Sequence, residues 1–323
     1  MMTYKFVVPA VLALYFPSCT TKVEPTVPPS QAPIAELWQS PDAIATRDLY
    51  NGPWGADRAP DPHATYTFVE RKQTGTNPGI TVLDPQGREW HVKQPAHTTQ
   101  GAEGPTEVVL SRVLSALGYH QPPVYYLPSF TMRDKSGVHT ERGGRFRLDE
   151  PSMKDMGEWS WQQNPFVGQR PYQGLLVILL MFNSSDLKNS NNTLYQVTRG
   201  GRTAEWYVVR DLGDALGKTG RFAPQRNNLE IFARTRFITG VSGGFAEFGD
   251  YRGLHGELLH GRITPADVAW ASALIGGLSE RQWQDAFRAG GYPPNVARQF
   301  ISILRGRVAE GKRIGTTGVA ASQ

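Results

Sequence analysis

The chain has 323 residues, 39% of them hydrophobic and 20% charged, with a formal net charge of +5, which is ample for a globular protein of ordinary polarity with a sizeable core. Its single cysteine, Cys19, excludes an internal disulfide and a thiolate zinc cluster. The mild positive charge is dispersed, with no dense basic run or aromatic-basic repeat, and this argues against a nucleic-acid partner.

In chain order, Lys5 precedes the mostly apolar stretch Phe6 to Phe16, too short to span a membrane as a stable helix and suited to a signal-peptide core. Cys19 follows behind Ser18, where bacterial lipoprotein signals place the cysteine that becomes lipidated; Phe16 and Pro17 depart from that pattern, and a chance thiol near an ordinary cleavage site is the alternative. The expectation is a signal peptide over 1–19 and export to the bacterial cell envelope, with membrane contact only through a lipid on Cys19. Residues 20–60 read as a proline-rich tether and extension, in which Leu37, Trp38, Leu49, Tyr50 and Trp54 pack against the body through a short helix and a loop.

Tyr66 to Glu70 and Ile80 to Leu83 read as strands joined by a loop containing Gly75 and Gly79. Such a loop can cover phosphates with backbone amides, although a glycine-bearing hairpin turn is common anywhere. Trp90 to Lys93 alternates as a short strand after the turn Asp84 to Gly87. Glu107 to Gly118 reads as a helix, with Pro105 near its start and a glycine stop. Glu107, on its first turn, is expected either to pair with Lys93 or simply to complement the helix dipole. Trp159, Trp161 and the segment Asn164 to Gly168 read as a hydrophobic anchor or a cleft wall.

Gly174 to Phe182 is a buried apolar helix that stops at Asn183-Ser184-Ser185, whose side chains compete for backbone hydrogen bonds. Next comes Asp186-Leu187-Lys188-Asn189-Ser190-Asn191, then a hairpin formed by Thr193 to Val197 and Glu205 to Val209 around Arg199-Gly200-Gly201, then Asp211-Leu212-Gly213. Gly217 to Asn228 is rich in Gly, Arg and Asn. Helices are expected to start near Thr264 and Ser279, and a third runs from Pro293 to about Glu310. The histidines show no tight metal spacing.

Two carboxylates and a carboxamide spaced this way suit the handling of a nucleotide triphosphate. Asp211 and Asn191 supply hard oxygens for magnesium, Lys93 supplies a cation for phosphates, and Asp186 can face an incoming hydroxyl from the loop that also carries Asn191. Either motif alone is a common polar turn; the order and spacing of the two together carry the reading.

Through GREWHVK, EVVLSRVLSALGYHQPPVYYLP, NPFVG, NSSDLKNSNN and WYVVRDLG, the chain resembles the protein-kinase-like superfamily over most of its length. It is nearer the divergent HipA-type, phosphoinositide-kinase-like and secretory-pathway branches than ordinary protein kinases, and nearest a family of exported bacterial proteins. The resemblance implies an α+β, two-lobed fold, with a β-rich N-lobe carrying one long helix over 61–150 and a larger, mainly helical C-lobe over 151–323. It also implies ATP and Mg2+ (or Mn2+) as cofactors, Lys93 on the phosphates with Gly75 and Gly79 covering them, and Glu107 orienting Lys93. Asp186 becomes the catalytic carboxylate, Lys188 lies near the transferred phosphate, and Asn191 and Asp211 hold the metal. Ser184 and Ser185 stand where ordinary kinases have His-Arg, Leu212 replaces a Phe, and no APE-like segment follows. Phosphate-sensing regulation and a peptide-docking segment are therefore not implied, and the acceptor, protein or small molecule, stays open. Two other readings remain: an exported pseudokinase or nucleotide-binding scaffold, and a nucleotidyltransferase using the same cleft.

Overall fold

The computed structural model describes residues 33–72, 78–95, 103–184, 186–218, 220 and 225–320. The expected signal segment, Cys19, the stretch 20–32 and Gly75 lie outside the described residues. No described helix is long and apolar enough to cross a membrane.

The fold is mixed α+β. It begins with β1 (Ile34–Glu36) and two single 3-10 turns, Ile44–Thr46 and Ala56–Arg58, in place of the short helix expected there. Then come β2 (Thr65–Arg71), β3 (Gly79–Leu83), β4 (Glu89–Lys93), α1 (Glu103–Ala116), β5 (Val124–Asp134) and β6 (Gly137–Leu148). The five strands β2-β3-β4-β6-β5 close a barrel, β2 meeting β5 in parallel. Alternation decides what each residue does. Tyr66, Val82, Trp90, Val92, Phe130 and Phe146 fill the barrel, with the rings of Phe130 and Phe146 edge-on at 5.1 Å, and His91 and Lys93 are left on the opposite face of β4.

α1 starts at Glu103, four residues before the expected start, with Pro105 in its first turn, where a missing N–H removes no helical bond. Glu107 is thus a second-turn residue, and Glu103 is the first-turn acid. The helix is followed by Gly118 at φ +96°, where a Cβ would lie 2.0 Å from the Gln39 carbonyl; the N-terminal segment crosses there, Gln39 N–H donating to the Gly118 carbonyl at 2.9 Å. Val109, Leu110, Val113, Leu114 and Leu117 of α1 join the larger helical core, separate from the barrel core. α1 thus sends its apolar face into the helical core while it also contacts β5 and β6 of the barrel.

Beyond the barrel lie β7 (Met153–Asp155), α2 (Arg170–Met181), β8 (Asn192–Arg199) and β9 (Arg202–Val209), which with β1 give a sheet ordered β1-β9-β8-β7. The β8–β9 turn is Gly200-Gly201 with φ of 56° and 75°, the left-handed pair that a tight two-residue hairpin needs. α3 (Leu229–Arg234), a short β10 (Gly240–Ser242) and β11 (Phe245–Glu247) hairpin, α4 (Pro265–Ile275), α5 (Glu280–Ala289) and α6 (Pro294–Ala320) complete the chain. Thr264 with Asp267 and Ser279 with Gln282 form capping boxes at the two expected helix starts. α6 continues past the expected end near Glu310. Trp159 and Trp161 are buried in the helical core, the anchor of the two readings offered for them.

One buried cation ties these helices to the loop that leaves α2. Arg307 of α6 donates to the Met181 carbonyl at 2.7 Å, Asn183 Oδ1 at 2.9 Å, the Phe232 carbonyl at 3.0 Å and the Thr235 carbonyl at 2.7 Å. It thus neutralises the C-terminal ends of α2 and α3 and fixes Asn183, the first residue beyond α2's end cap. Replacing Arg307 with Met strands those acceptors, and we expect a loss on the order of 3 kcal/mol in urea unfolding with little change in slope. A change below about 0.5 kcal/mol, the size of an ordinary surface substitution, would contradict this role.

Candidate active site

α2 ends where its apolar run ends. Asn183 turns left-handed (φ +52°) and its side-chain amide donates to the Gly217 carbonyl at 2.9 Å, sending the chain toward Asp186. The β8–β9 register then brings the two motifs together, because Asn192 pairs with Val209 and the Arg210 N–H donates to the Asn191 carbonyl at 2.8 Å. Asp211 emerges next to Asn191 as a geometric consequence of a hairpin with equal arms. Asn191 Nδ2 donates to the Asp186 carbonyl at 2.8 Å, which turns the amide oxygen away from that carbonyl. Asp211 itself adopts φ +51°, a conformation that Asp tolerates and that concentrates at functional positions.

Lys93 reaches this corner from β4. Its Nζ lies 3.1 Å from Glu103, 3.5 Å from Glu107 and 3.5 Å from Asp211. Arg145, opposite Lys93 in the β4–β6 register, places Nε 2.9 Å from Glu107 and Nη2 3.8 Å from Asp211. Glu107 is thus within pairing range of Lys93, as expected, but its shorter contact is to Arg145, and Glu103 is the acid nearest the lysine. Arg226 extends the network, meeting Glu103 and Asp214 at 3.0 Å each.

Burial by itself would push the Lys93 ammonium down; Glu107, Asp211 and Glu103 outweigh it and hold the group well above its ordinary range. Burial would likewise raise Asp211, but Lys93, Arg145, Arg147 and Arg210 hold its carboxyl well below the usual range. Both groups are therefore charged at neutral pH. The Asp211 side chain is still 42% exposed, so its oxygens remain reachable from the cavity.

That cavity, of about 570 Å3, is bordered together by Gly79, Lys93, Asp186, Lys188, Asn191 and Asp211. Lys188 Nζ sits 2.8 Å from an Asp186 carboxylate oxygen. Glu107 stands behind Lys93 rather than on the cavity wall, and Gly79 takes its place because it pairs with Lys93 across β3–β4. Asp211 and Asn191 form a hard-oxygen donor set that suits magnesium, which takes one or two protein oxygens and completes its shell with water and phosphate. Among the described residues, no group of three or more His, Cys, Asp or Glu is arranged to hold a metal unaided.

Glu103, Arg145, Arg147 and Arg226 also border the cavity. Sequence reasoning gives no role to Glu103 and counts the three arginines only among a dispersed positive charge that could favour anionic ligands or simply be solvated. Glu103 was legible in principle, four residues from Glu107 and so on the same helix face. The arginines were not, since only strand register sets Arg145 beside Lys93.

No family model matches the chain, and no curated protein matches it in sequence. Among solved structures, the crystal structure of a Helicobacter pylori proinflammatory kinase, CtkA, aligns over 81% of this chain and 100% of its own, at 12% identity and a TM-score of 0.45. At such distance the functional reading rests on the side chains of the cavity itself.

His91, two residues before Lys93 on the same face, is pushed down to about 4 from its ordinary 6.5 by burial and by Arg147, Arg145 and Arg210, with Asp149 opposing. The native state therefore refuses a proton that the unfolded chain accepts below about 6.5, so stability is unaffected above that pH and falls as pH drops toward 4. We expect His91→Gln to flatten the fall in melting temperature between pH 7 and pH 4.5, about the span of this titration. An unchanged slope would place the acid sensitivity elsewhere.

Proposed function

We infer that the chain is a kinase-like phosphotransferase that moves a phosphoryl group from a magnesium-bound nucleoside triphosphate to a hydroxyl acceptor, ATP being the nucleotide that the sequence resemblance implies. The observation that carries this reading is the meeting of Lys93, Asp211, Asn191 and Asp186 at one cavity. Lys93 comes from β4, far upstream of the segment 186–211 that carries the other three. The separate barrel and helical cores on either side correspond, in this reading, to two lobes around a nucleotide cleft.

Each residue then has a defined task. Lys93, kept charged by its three carboxylates, donates to phosphate oxygens, and Arg145 beside it adds a second cation to the same row. Asp211 and the amide oxygen of Asn191 would hold the metal, which would supply charge neutralisation on the transferring phosphates. Asp186 accepts a hydrogen bond from the acceptor hydroxyl and fixes its line of attack, while Lys188, paired with Asp186, supplies positive charge at the same end. Preorganised charge, rather than covalent chemistry, accounts for the catalysis.

Asp186→Ala is expected to lower phosphoryl transfer, read as self-phosphorylation by intact mass or as nucleotide hydrolysis, by about two to four orders of magnitude with nucleotide affinity nearly unchanged. Asp211→Ala is expected instead to weaken magnesium-dependent nucleotide binding, read as the loss of the ligand-induced rise in melting temperature. Full turnover in both variants would refute the assignments. An adduct with the mass of a nucleotide rather than of one phosphate would identify a nucleotidyltransferase, and nucleotide binding without turnover a scaffold.

A further inference from the structure

The roof of the cavity is a grid with two rows. β3, β4 and β6 pair so that Gly79, Lys93 and Arg145 share one level and Thr81, His91 and Arg147 the next but one, on the same face. The rows lie about 7 Å apart along the strands. The first row is the phosphate clamp described above. The second is unused by it.

His91 and Arg147 of that row also face a side chamber of about 180 Å3, whose other walls include Leu148, Asp149, Glu150, Met153, Tyr195 and Arg210. Asp186 and Lys188 border the main cavity and not the chamber, so the chamber opens away from the acceptor end. A triphosphate with its transferring end at Asp186 and its other phosphates along the Lys93 row extends its nucleoside end toward the second row.

Arg147 determines what that end must offer. Its guanidinium makes no ion pair or hydrogen bond with any described residue, while Arg210, also on the chamber wall, is occupied by the Tyr195 hydroxyl at 3.0 Å and Asp155 at 3.7 Å. Burial, Arg145 and Arg210 push Arg147 down to about 10 against the opposing pull of Tyr195 and Glu107, so it stays charged at neutral pH. A guanidinium has five donors and no acceptor, so it can be satisfied only by an edge made of acceptors. Guanine offers O6 and N7 side by side, the pair that arginine takes bidentately, whereas adenine sets an amino donor beside N7 and turns it toward one arm of the fork.

We propose that the Thr81–His91–Arg147 row and its chamber are the base-recognition subsite of this protein and select guanine over adenine nucleotides. The proposal rests on the phosphate-clamp reading and deepens it by naming the nucleotide, a guanine nucleotide in place of the ATP that the sequence resemblance implies.

The test is calorimetric titration of the full chain with the magnesium complexes of GDP, ADP and inorganic tripolyphosphate. GDP is expected to bind about tenfold to a hundredfold tighter than ADP. Arg147→Gln, which exchanges the donor fork for an amide able to pair with adenine N6 and N7, is expected to erase or reverse that preference while tripolyphosphate still binds. Equal or tighter ADP binding in the wild type, or a loss of tripolyphosphate affinity in Arg147→Gln as large as the loss for GDP, overturns the base assignment and leaves the clamp standing. Tripolyphosphate that fails to bind, or that binds Asp211→Asn as well as wild type, brings down the clamp and the base assignment with it.

Discussion

A single ammonium group holds the structure's central arrangement together. Lys93 is 15% exposed and lies within 3.5 Å of carboxylates on both sides of the cavity, Glu103 and Glu107 on α1 and Asp211 beyond β9. Taking an ion out of water costs several kcal/mol, and a unit pair near 4 Å returns about 4 kcal/mol at the effective dielectric of a protein surface. One carboxylate would barely balance that cost, whereas three favour the charged, buried state. The consequence is architectural as well as chemical. The barrel, the first turns of α1 and the Asp211 loop must be held where their charges meet, and the cavity is the space left between them.

The remaining contacts keep those elements in place. Thr106 on α1 meets the Tyr292 hydroxyl at 3.0 Å between α5 and α6, and Arg226 links Glu103 to Asp214, so the helix that carries the acids is held at its first turn from two sides. Arg307 fixes the exit of α2, and the equal arms of the β8–β9 hairpin set Asn191 beside Asp211. The electrostatic site thus inherits its accuracy from backbone register and from a buried arginine far along the chain, neither of which touches the cavity.

Much of this was legible in the residues. Period-two alternation at Trp90 to Lys93 separates barrel core from cavity face, the apolar run of α2 stops at three competing polar residues, and a double-glycine turn fixes the hairpin length between Asp186 and Asp211. What escaped had weaker local signals. The long β5–β6 hairpin, to which no element is assigned from the sequence, is interrupted by Pro128 and by Gly143-Gly144, where a Cβ on Gly143 would lie 1.7 Å from the Leu127 carbonyl, so no unbroken alternation marks it. α1 starts at Glu103 because Pro105 suits the first turn better than the apolar run alone suggests, and this moves the acid closest to Lys93 one turn upstream. Arg145 and Arg147 are placed at the cavity by cross-strand pairing, a relation between distant segments that no local window contains.

The central claim, that Asp211 and Asn191 form a metal-binding corner facing the Lys93 clamp, is tested most directly by anomalous diffraction from crystals grown with Mn2+ and a non-hydrolysable nucleoside triphosphate. The account predicts a manganese peak in contact with a carboxylate oxygen of Asp211 and the side-chain oxygen of Asn191, with the phosphates against Lys93. Manganese and phosphates found together elsewhere on the molecule, with this corner unchanged, would contradict it.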